Sequence, residues 1–361
     1  MLLAQKRKKI LVVCPHPVGY VPGQRLKFEQ YFDLWRNAGF ELDISPFMSE
    51  SMQQIVYKKG YFFTKITGTM LGYLQRVALM FRMKKYQVVY IFLWVTPFGP
   101  PIFEWLSSKL AKKIVYDIDD LVYKGATSPN NSIIKFLKSG SKVNFLMGKA
   151  AHVIVSTDKL LSYAQQFSNS ISVIPATIDV KMYHFDIKKV NQKIIIGWSG
   201  SHTTSKYLLL LTQVLKIITA SHNVIIKVMG DPTFTLDGID IELVQWTAET
   251  EADEICSFDI GLHPLPDEEW VYGKSGGKLV QYMAAGVPVI ASAIGPNFKA
   301  IDEGYNGFLV TTDEEWIQKL TLLITDTELR KRMSENSRKR AVEKYSVEAN
   351  LGKYLAVFNN L

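Results

Sequence analysis

The sequence predicts an α/β protein of two parallel-sheet domains, and three observations predict it. At 361 residues the chain is long enough for two cores of ordinary size. Short β-branched runs alternate with amphipathic helical patterns, and the alternation pauses at the polar stretch 184–193 before starting again. The charge divides in the same place: through Asp186 there are 24 Lys+Arg against 12 Asp+Glu, and beyond it 18 against 22, so +12 and −4 sum to +8. Hydrophobic residues make up 47% with no biased tract or solenoid repeat, which excludes a disordered or repeat protein.

In the first half, residues 10–14 form the opening strand. The loop P-H-P-V-G-Y-V-P-G-Q-R follows, with Gly19 and Gly23 permitting tight turns, then a helix over 25–38 ended by Gly39 and a strand over 41–45. Residues 57–86 interleave aromatic and aliphatic side chains with seven basic ones and no acid. Two readings stand: a helix suited to an anionic membrane surface, or a core helix with a basic outer face. A strand over 88–94, a helix over 102–112 and a strand over 114–116 lead to D-I-D-D, where Asp117, Asp119 and Asp120 fit either a loop cap or a D-x-D metal pattern. A strand over 152–156, a helix to about 167 and a strand over 171–174 complete this half, which P-A-T-I-D-V-K-M-Y closes.

The second half opens with a strand over 194–198, the turn S-G-S-H-T-T-S and a helix over 206–220. Gly200, Ser201 and the first amides of that helix form a candidate phosphate cradle; a plain βα turn is the alternative. Strands over 224–229 and 241–244, a helix over 249–256 and the lone His263, read as structural, precede the most informative stretch. From Gly273 it runs through a glycine-rich loop, a helix over 278–285, a turn at Gly286 and a buried strand over 287–292. Lys274 and Lys278 bracket Ser275, Gly276 and Gly277, so two cations meet a backbone with no Cβ to hold a phosphate away. The alternative is a solvated turn capping an ordinary helix. Charged amphipathic helices over 314–323, 329–344 and 347–358 end the chain.

The helix, A-A-G-V-P-V-I-A-S and E-G-Y-N-G-F-L-V together resemble the donor-binding segment of the family 4 retaining glycosyltransferases, of the polysaccharide type found in bacteria. The resemblance implies the GT-B architecture: a Rossmann-like acceptor-side domain (1–186), a Rossmann-like nucleotide-sugar domain (187–345) and a terminal helix (346–361) packing back on the first. The family's two glutamates fall at Gly273 and Gln281, so both are absent. Gln281 can still hydrogen-bond a ribose. Gly273 cannot replace the first glutamate, and Glu268, Glu269 or Lys274 are the candidates to do so. Lys206 matches a family lysine, while Ser201 stands where an arginine is usual. V-P-G-Q-R resembles the family's first βα unit, which puts Gly23 and Arg25 on the acceptor side. Asp119 stands where the family places a histidine, giving it a role near sugar or acceptor.

The reading is a metal-independent, hexosyltransferase-type retaining enzyme of cell-surface polysaccharide synthesis. It moves a sugar from a nucleotide diphosphate-sugar to a glycan or lipid-linked acceptor, with no cofactor and no nucleic-acid partner. Lys206, Lys274 and Asp119 carry the chemistry; Gly200, Ser201, Lys206 and the run Lys274, Ser275, Gly276, Gly277 and Lys278, with Gln281, hold the donor. The alternatives are a nucleotide-sugar 2-epimerase on the same fold, whose acidic and histidine groups find no place here, and a non-enzymatic basic module for membrane or nucleic acid. A dehydrogenase is disfavoured because no G-x-G-x-x-G follows a strand. Two cysteines, Cys14 and Cys256, are too few for a disulfide framework or zinc site. The apolar run after the N-terminal lysines stops at Pro15, too short for a signal peptide, and 88–103 is broken by Pro97, Pro100 and Pro101. The expected location is the cytoplasm and, on the membrane reading of 57–86, the inner face of the membrane.

Overall fold

A computed structural model describes residues 7–121, 140–185 and 193–361. They divide into two compact units: Met1–Pro175 with Gly273–Ser275 and Asn350–Leu361, and Ala176–Tyr272 with Gly276–Ala349. Residues 186–192, most of the expected linker and the expected boundary itself, lie outside the described residues.

The first unit is built on six parallel strands, β1 (Lys8–Cys14), β2 (Phe40–Pro46), β3 (Val88–Phe92), β4 (Ile114–Ile118), β5 (His152–Val155) and β6 (Ile171–Val173), in the order β2-β1-β3-β4-β5-β6. β3 and β4 are buried at every position, as strands covered on both faces must be. The helix expected over 25–38 is instead broken into Pro22–Arg25, a 3-10 turn at Glu29–Tyr31 and Phe32–Asn37. Packing overrides propensity there. Phe28 leaves helical geometry to set its ring 4.9 Å from Phe92 and 5.4 Å from Tyr90. Its neighbour Lys27 turns inward, fully buried, 3.4 Å from the Asp117 carboxylate and donating to the Ile174 carbonyl.

Residues 350–361 are part of this core. Phe358 packs edge-on against Trp35 at 4.9 Å, and the Tyr354 hydroxyl donates to the Lys27 carbonyl at 2.9 Å.

The second unit repeats the plan with β7 (Ile194–Ser199), β8 (Val224–Met229), β9 (Ile241–Val244), β10 (Ile260–His263), β11 (Val289–Ser292) and β12 (Gly307–Val310), in the order β12-β11-β10-β7-β8-β9. The helix expected over 206–220 begins as a 3-10 segment, Ser205–Leu211, and becomes α-helical only at Thr212–Ser221. Threefold spacing puts Ser205, Leu208 and Leu211 on one buried line, and Ser205 is tied to Asp231. The strand expected from 287 starts at Val289, because Val287 donates to the Tyr282 carbonyl to close the turn at Gly286, and Pro288 has no N–H. The helix expected over 329–344 is Thr327–Arg340, with a π turn at Ala341–Tyr345. Residues 176–178 and 345–347 pair through Ile178, whose N–H donates to Tyr345 and whose carbonyl accepts from Val347.

Among the described residues, Lys27 is the only cation whose attraction to Asp117 offsets the burial of that carboxylate, so removing it leaves a charge stranded in the core. Lys27→Met should destabilise the protein by about 3 kcal/mol or more in chemical denaturation, and Asp117→Asn added to it should recover most of the loss. Equal stability of Lys27→Met and wild type would contradict this account of the core.

Candidate functional site

In each sheet the strand order reverses beside the first strand of its unit, and open α/β sheets bind ligands outside the carboxyl ends of strands at such a reversal. In the second unit that place lies between β7 and β10, where Ser199 and His263 end their strands.

The Lys278 side chain is fixed there. Its ammonium lies 4.4 Å from the Trp198 ring centroid and donates to Thr204 Oγ1 at 3.2 Å. Two glycines make the room. A Cβ on Gly200 would come within 2.6 Å of Lys278 Nζ and 2.3 Å of the Trp198 ring. One on Gly230, whose φ is +106°, would come within 1.8 Å of the Gly200 carbonyl oxygen. The turn is braced internally, with Ser201 N–H donating to Thr204 Oγ1 at 3.1 Å and the Ser201 and Thr203 hydroxyls 2.8 Å apart. Gly276, at φ +74°, is the N-cap of the helix Gly277–Ala284 and supplies no side-chain cap. The first backbone N–H groups of that helix therefore have no side-chain cap, beside the lysine it carries as its second residue.

His263 is buried, and burial, reinforced by the Lys278 charge, lowers its pKa to about 3, so the imidazole is neutral. Gln281, on the same helix and buried, donates to the Tyr183 hydroxyl at 3.3 Å. Gly200, Ser201 and Lys278 are thus brought together, with Gly276 and Gly277 at the start of the lysine's own helix. Lys206 is exposed on the 3-10 segment, its ammonium 5.1 Å from the Tyr207 ring centroid. Sequence reasoning missed Trp198 and Thr204. The signal was an aromatic side chain one residue before the S-G-S turn, at the end of a strand.

In the first unit the reversal lies between β1 and β3. Leu93, just past β3, has φ +61°, a strained value for a side chain of this size, and it is held by Asp117 O and by the Tyr116 hydroxyl. The loop after β1 is shaped by Gln24 and Glu29. Gln24 accepts from His16 N–H at 2.9 Å and donates to Glu29 at 2.7 Å, while Glu29 accepts from Gly19 N–H at 2.8 Å. Burial raises the Glu29 pKa, and these hydrogen bonds and the Arg25 charge offset it in part.

The aspartates at the carboxyl end of β4 separate into three environments. Asp117 lies inside the strand and is held by Tyr90 and Lys27, with its pKa raised to about 6 by burial against the pull of Lys27. Asp120 pairs with Lys274 at 2.7 Å. Asp119 has one buried oxygen, Oδ1, without a hydrogen bond; the hydroxyls of Ser156 and Ser275 face its carboxylate, and burial raises its pKa against the field of Lys27. Gly23 is next to it, a Cβ there lying 4.0 Å from Asp119 Oδ2. Gly23, Asp119 and Ser275 therefore form one group and Asp120 with Lys274 another.

The neutral His263 has a pH consequence. Its folded pKa lies below the ordinary value near 6.5, so the unfolded chain binds the proton more readily. The stability this group contributes is complete above about pH 6.5 and falls as the pH drops, by about 2 kcal/mol at pH 5. Denaturation of wild type and His263→Asn at pH 7 and pH 5 should show the extra acid sensitivity only in wild type. An NMR titration midpoint near 6.5 for the His263 ring would contradict it.

Residues 272–340 match the family model described as "Glycosyl transferases group 1". No curated protein sequence matches the chain. Among solved structures, sucrose-phosphate synthase from Thermosynechococcus elongatus superposes with TM-score 0.71 at 15% identity, covering 98% of this chain and 100% of that one. Anabaena HepE in complex with UDP-glucose gives 0.67 at 16% identity, again over 98% and 100%. WaaG, a glycosyltransferase involved in lipopolysaccharide biosynthesis, gives 0.61 at 16% identity over 95% and 98%. At such identities the likeness establishes the fold. The chain therefore has the GT-B fold of these glycosyltransferases, and residues 272–340, which carry Lys278, are the segment that links it to the group 1 glycosyl transferases.

Proposed function

We propose that this protein is a retaining glycosyltransferase that moves a sugar from a nucleotide diphosphate-sugar to a glycan or lipid-linked acceptor of cell-surface polysaccharide synthesis, working at the inner face of the membrane. The observation that carries the reading is the Lys278 ammonium seated against Trp198 and Thr204 at the strand reversal of the second unit, inside the segment that matches the family. The UDP-glucose held by HepE supports a nucleoside diphosphate as the leaving group.

Breaking the anomeric C–O bond leaves negative charge growing on the diphosphate. Lys278, the open N–H groups at Gly276–Gly277 and the Gly200–Ser201 turn offer that charge fixed partners without a metal. Lys206 is the second cation, close in sequence to the same turn. Lys274 enters the proposal more weakly, because a phosphate must compete with Asp120 for it. Gln281 and Tyr183 provide neutral hydrogen-bonding groups for the nucleoside. Asp119, whose Oδ1 makes no hydrogen bond and whose Oδ2 lies beside Gly23, is the group for a hydroxyl of sugar or acceptor. Front-face attack needs no protein base.

Lys278→Ala should lower kcat/KM for the nucleotide sugar on the order of a hundredfold, and Lys274→Ala by less. Chelator should leave turnover unchanged, and proton NMR of the first product should show the donor's anomeric configuration. Wild-type turnover by Lys278→Ala, full dependence on added Mg²⁺ or an inverted product would each overturn the corresponding part.

A further inference from the structure

The helix Phe62–Arg82 has two apolar faces, and only one is packed. The inner face, with Gly72, Arg76, Leu79 and Met80, is buried. A Cβ on Gly72 would come within 2.7 Å of the Phe47 ring, so the helix sits close against its neighbour. Arg76 is not a surface charge: fully buried, it donates to Cys14 O at 3.1 Å, Val95 O at 2.8 Å and Ser45 Oγ at 2.8 Å. The Tyr73 hydroxyl donates to Phe98 O at 2.7 Å. The helix is thereby fastened to the backbone at the ends of β1 and β3.

The outer face is a stripe of Phe62, Ile66, Met70, Leu74, Val77 and Phe81, spaced by fours and one three, so the residues lie on one line along the helix. All six are exposed, from 42% at Ile66 to 84% at Phe81. The helix has 21 residues and is ~31 Å long. No helix among the described residues is long and apolar enough to cross a membrane. A continuous apolar stripe of this extent marks an interaction surface rather than ordinary exposure.

Charge selects the occupant. Lys58 and Lys59 precede the stripe, and Arg82, Lys84 and Lys85 follow it, all exposed. No Asp or Glu occurs anywhere in residues 51–103. A second copy laid on the stripe, parallel or antiparallel, would bring basic ends together with no acid in this segment to answer them. An anionic bilayer satisfies both terms, the stripe entering the acyl boundary and the basic ends meeting headgroups.

We infer that the outer face of Phe62–Arg82 is a docking surface for an anionic lipid bilayer, with the helix lying in the plane of the interface. Through Arg76 and Tyr73 the docked helix holds the segments after β1 and β3, and with them the sheet whose β1 and β4 lead to Gly23 and Asp119, at a fixed distance from the membrane. Binding stands on the helix alone; the link to a lipid-linked acceptor rests on the proposed function.

Cosedimentation of the full chain with vesicles, without nucleotide sugar, tests it. The protein should pellet with phosphatidylcholine–phosphatidylglycerol vesicles and about tenfold less with phosphatidylcholine alone or at high salt. Phe62→Ser combined with Phe81→Ser, and separately Lys58→Glu combined with Lys84→Glu, should abolish pelleting while circular dichroism and nucleoside diphosphate release in solution stay unchanged. Lys278→Ala should pellet like wild type, which separates failure of this surface from failure of the transferase reading. No pelleting with the mixed vesicles, or equal pelleting with both kinds, overturns the inference. So does a concentration-dependent dimer that the double serine variant dissolves, which would give the face to a second copy.

Discussion

The seat of the Lys278 ammonium is the constraint around which the strand reversal of the second unit is arranged. A cation over an indole ring, next to a histidine that cannot share its charge, is held in one place only if the backbone around it is close. The closeness comes from Gly200 and Gly230, neither of which has room for a Cβ. The Ser201–Thr204 turn closes the seat with a hydroxyl, and the bare helix start at Gly276 adds partial positive charge beside it. Close packing of this kind fixes the ammonium in one place, which is the condition for stabilising a charge that appears only in the transition state.

The first unit solves a different electrostatic problem. Among the cations it buries are Lys27 and Arg76, in a half of the chain that carries an excess of +12. Lys27 compensates the buried Asp117 and tempers Asp119; Arg76 satisfies the carbonyls of Cys14 and Val95 and the hydroxyl of Ser45. Neither serves the surface field. Both organise the carboxyl ends of β1, β3 and β4, the side of the sheet on which a ligand crevice is expected.

Much of the fold was legible because buried parallel strands are written as short runs of Val, Ile, Leu and Tyr, and Val88–Phe92 and Val289–Ser292 need no partner to be recognised. The segment from Gly273 to Val310 was legible through its glycines and prolines. Helix continuity was not. The pattern over 25–38 reads as one amphipathic helix, and only the pull of Tyr90, Phe92 and Asp117 on Phe28 and Lys27 breaks it. Arg76 was counted with the surface basics for the same reason: spacing does not show which long side chain turns inward. For the candidate site, turn chemistry marked Gly200 and Ser201 as one cradle and Lys274 to Lys278 as another, and only the structure sets Lys278 against Gly200 and Thr204. Trp198 was missed, since an aromatic at a strand end looks like core, and the pairing of Lys274 with Asp120 joins residues 154 positions apart.

The most direct test of the central claim, that the second unit holds a nucleotide diphosphate-sugar on the Lys278 seat, is a thermal-shift panel of UDP-, GDP-, dTDP- and CMP-sugars on wild type and Lys278→Ala. At a hundredfold excess over Kd a ligand that binds only the folded chain stabilises it by about 2.7 kcal/mol, which a melting shift reports readily. The account predicts a shift with a nucleoside diphosphate sugar, none with the monophosphate CMP-sugar, and loss of the shift in Lys278→Ala. No shift with any diphosphate sugar, or the same shift in the variant as in wild type, would contradict it.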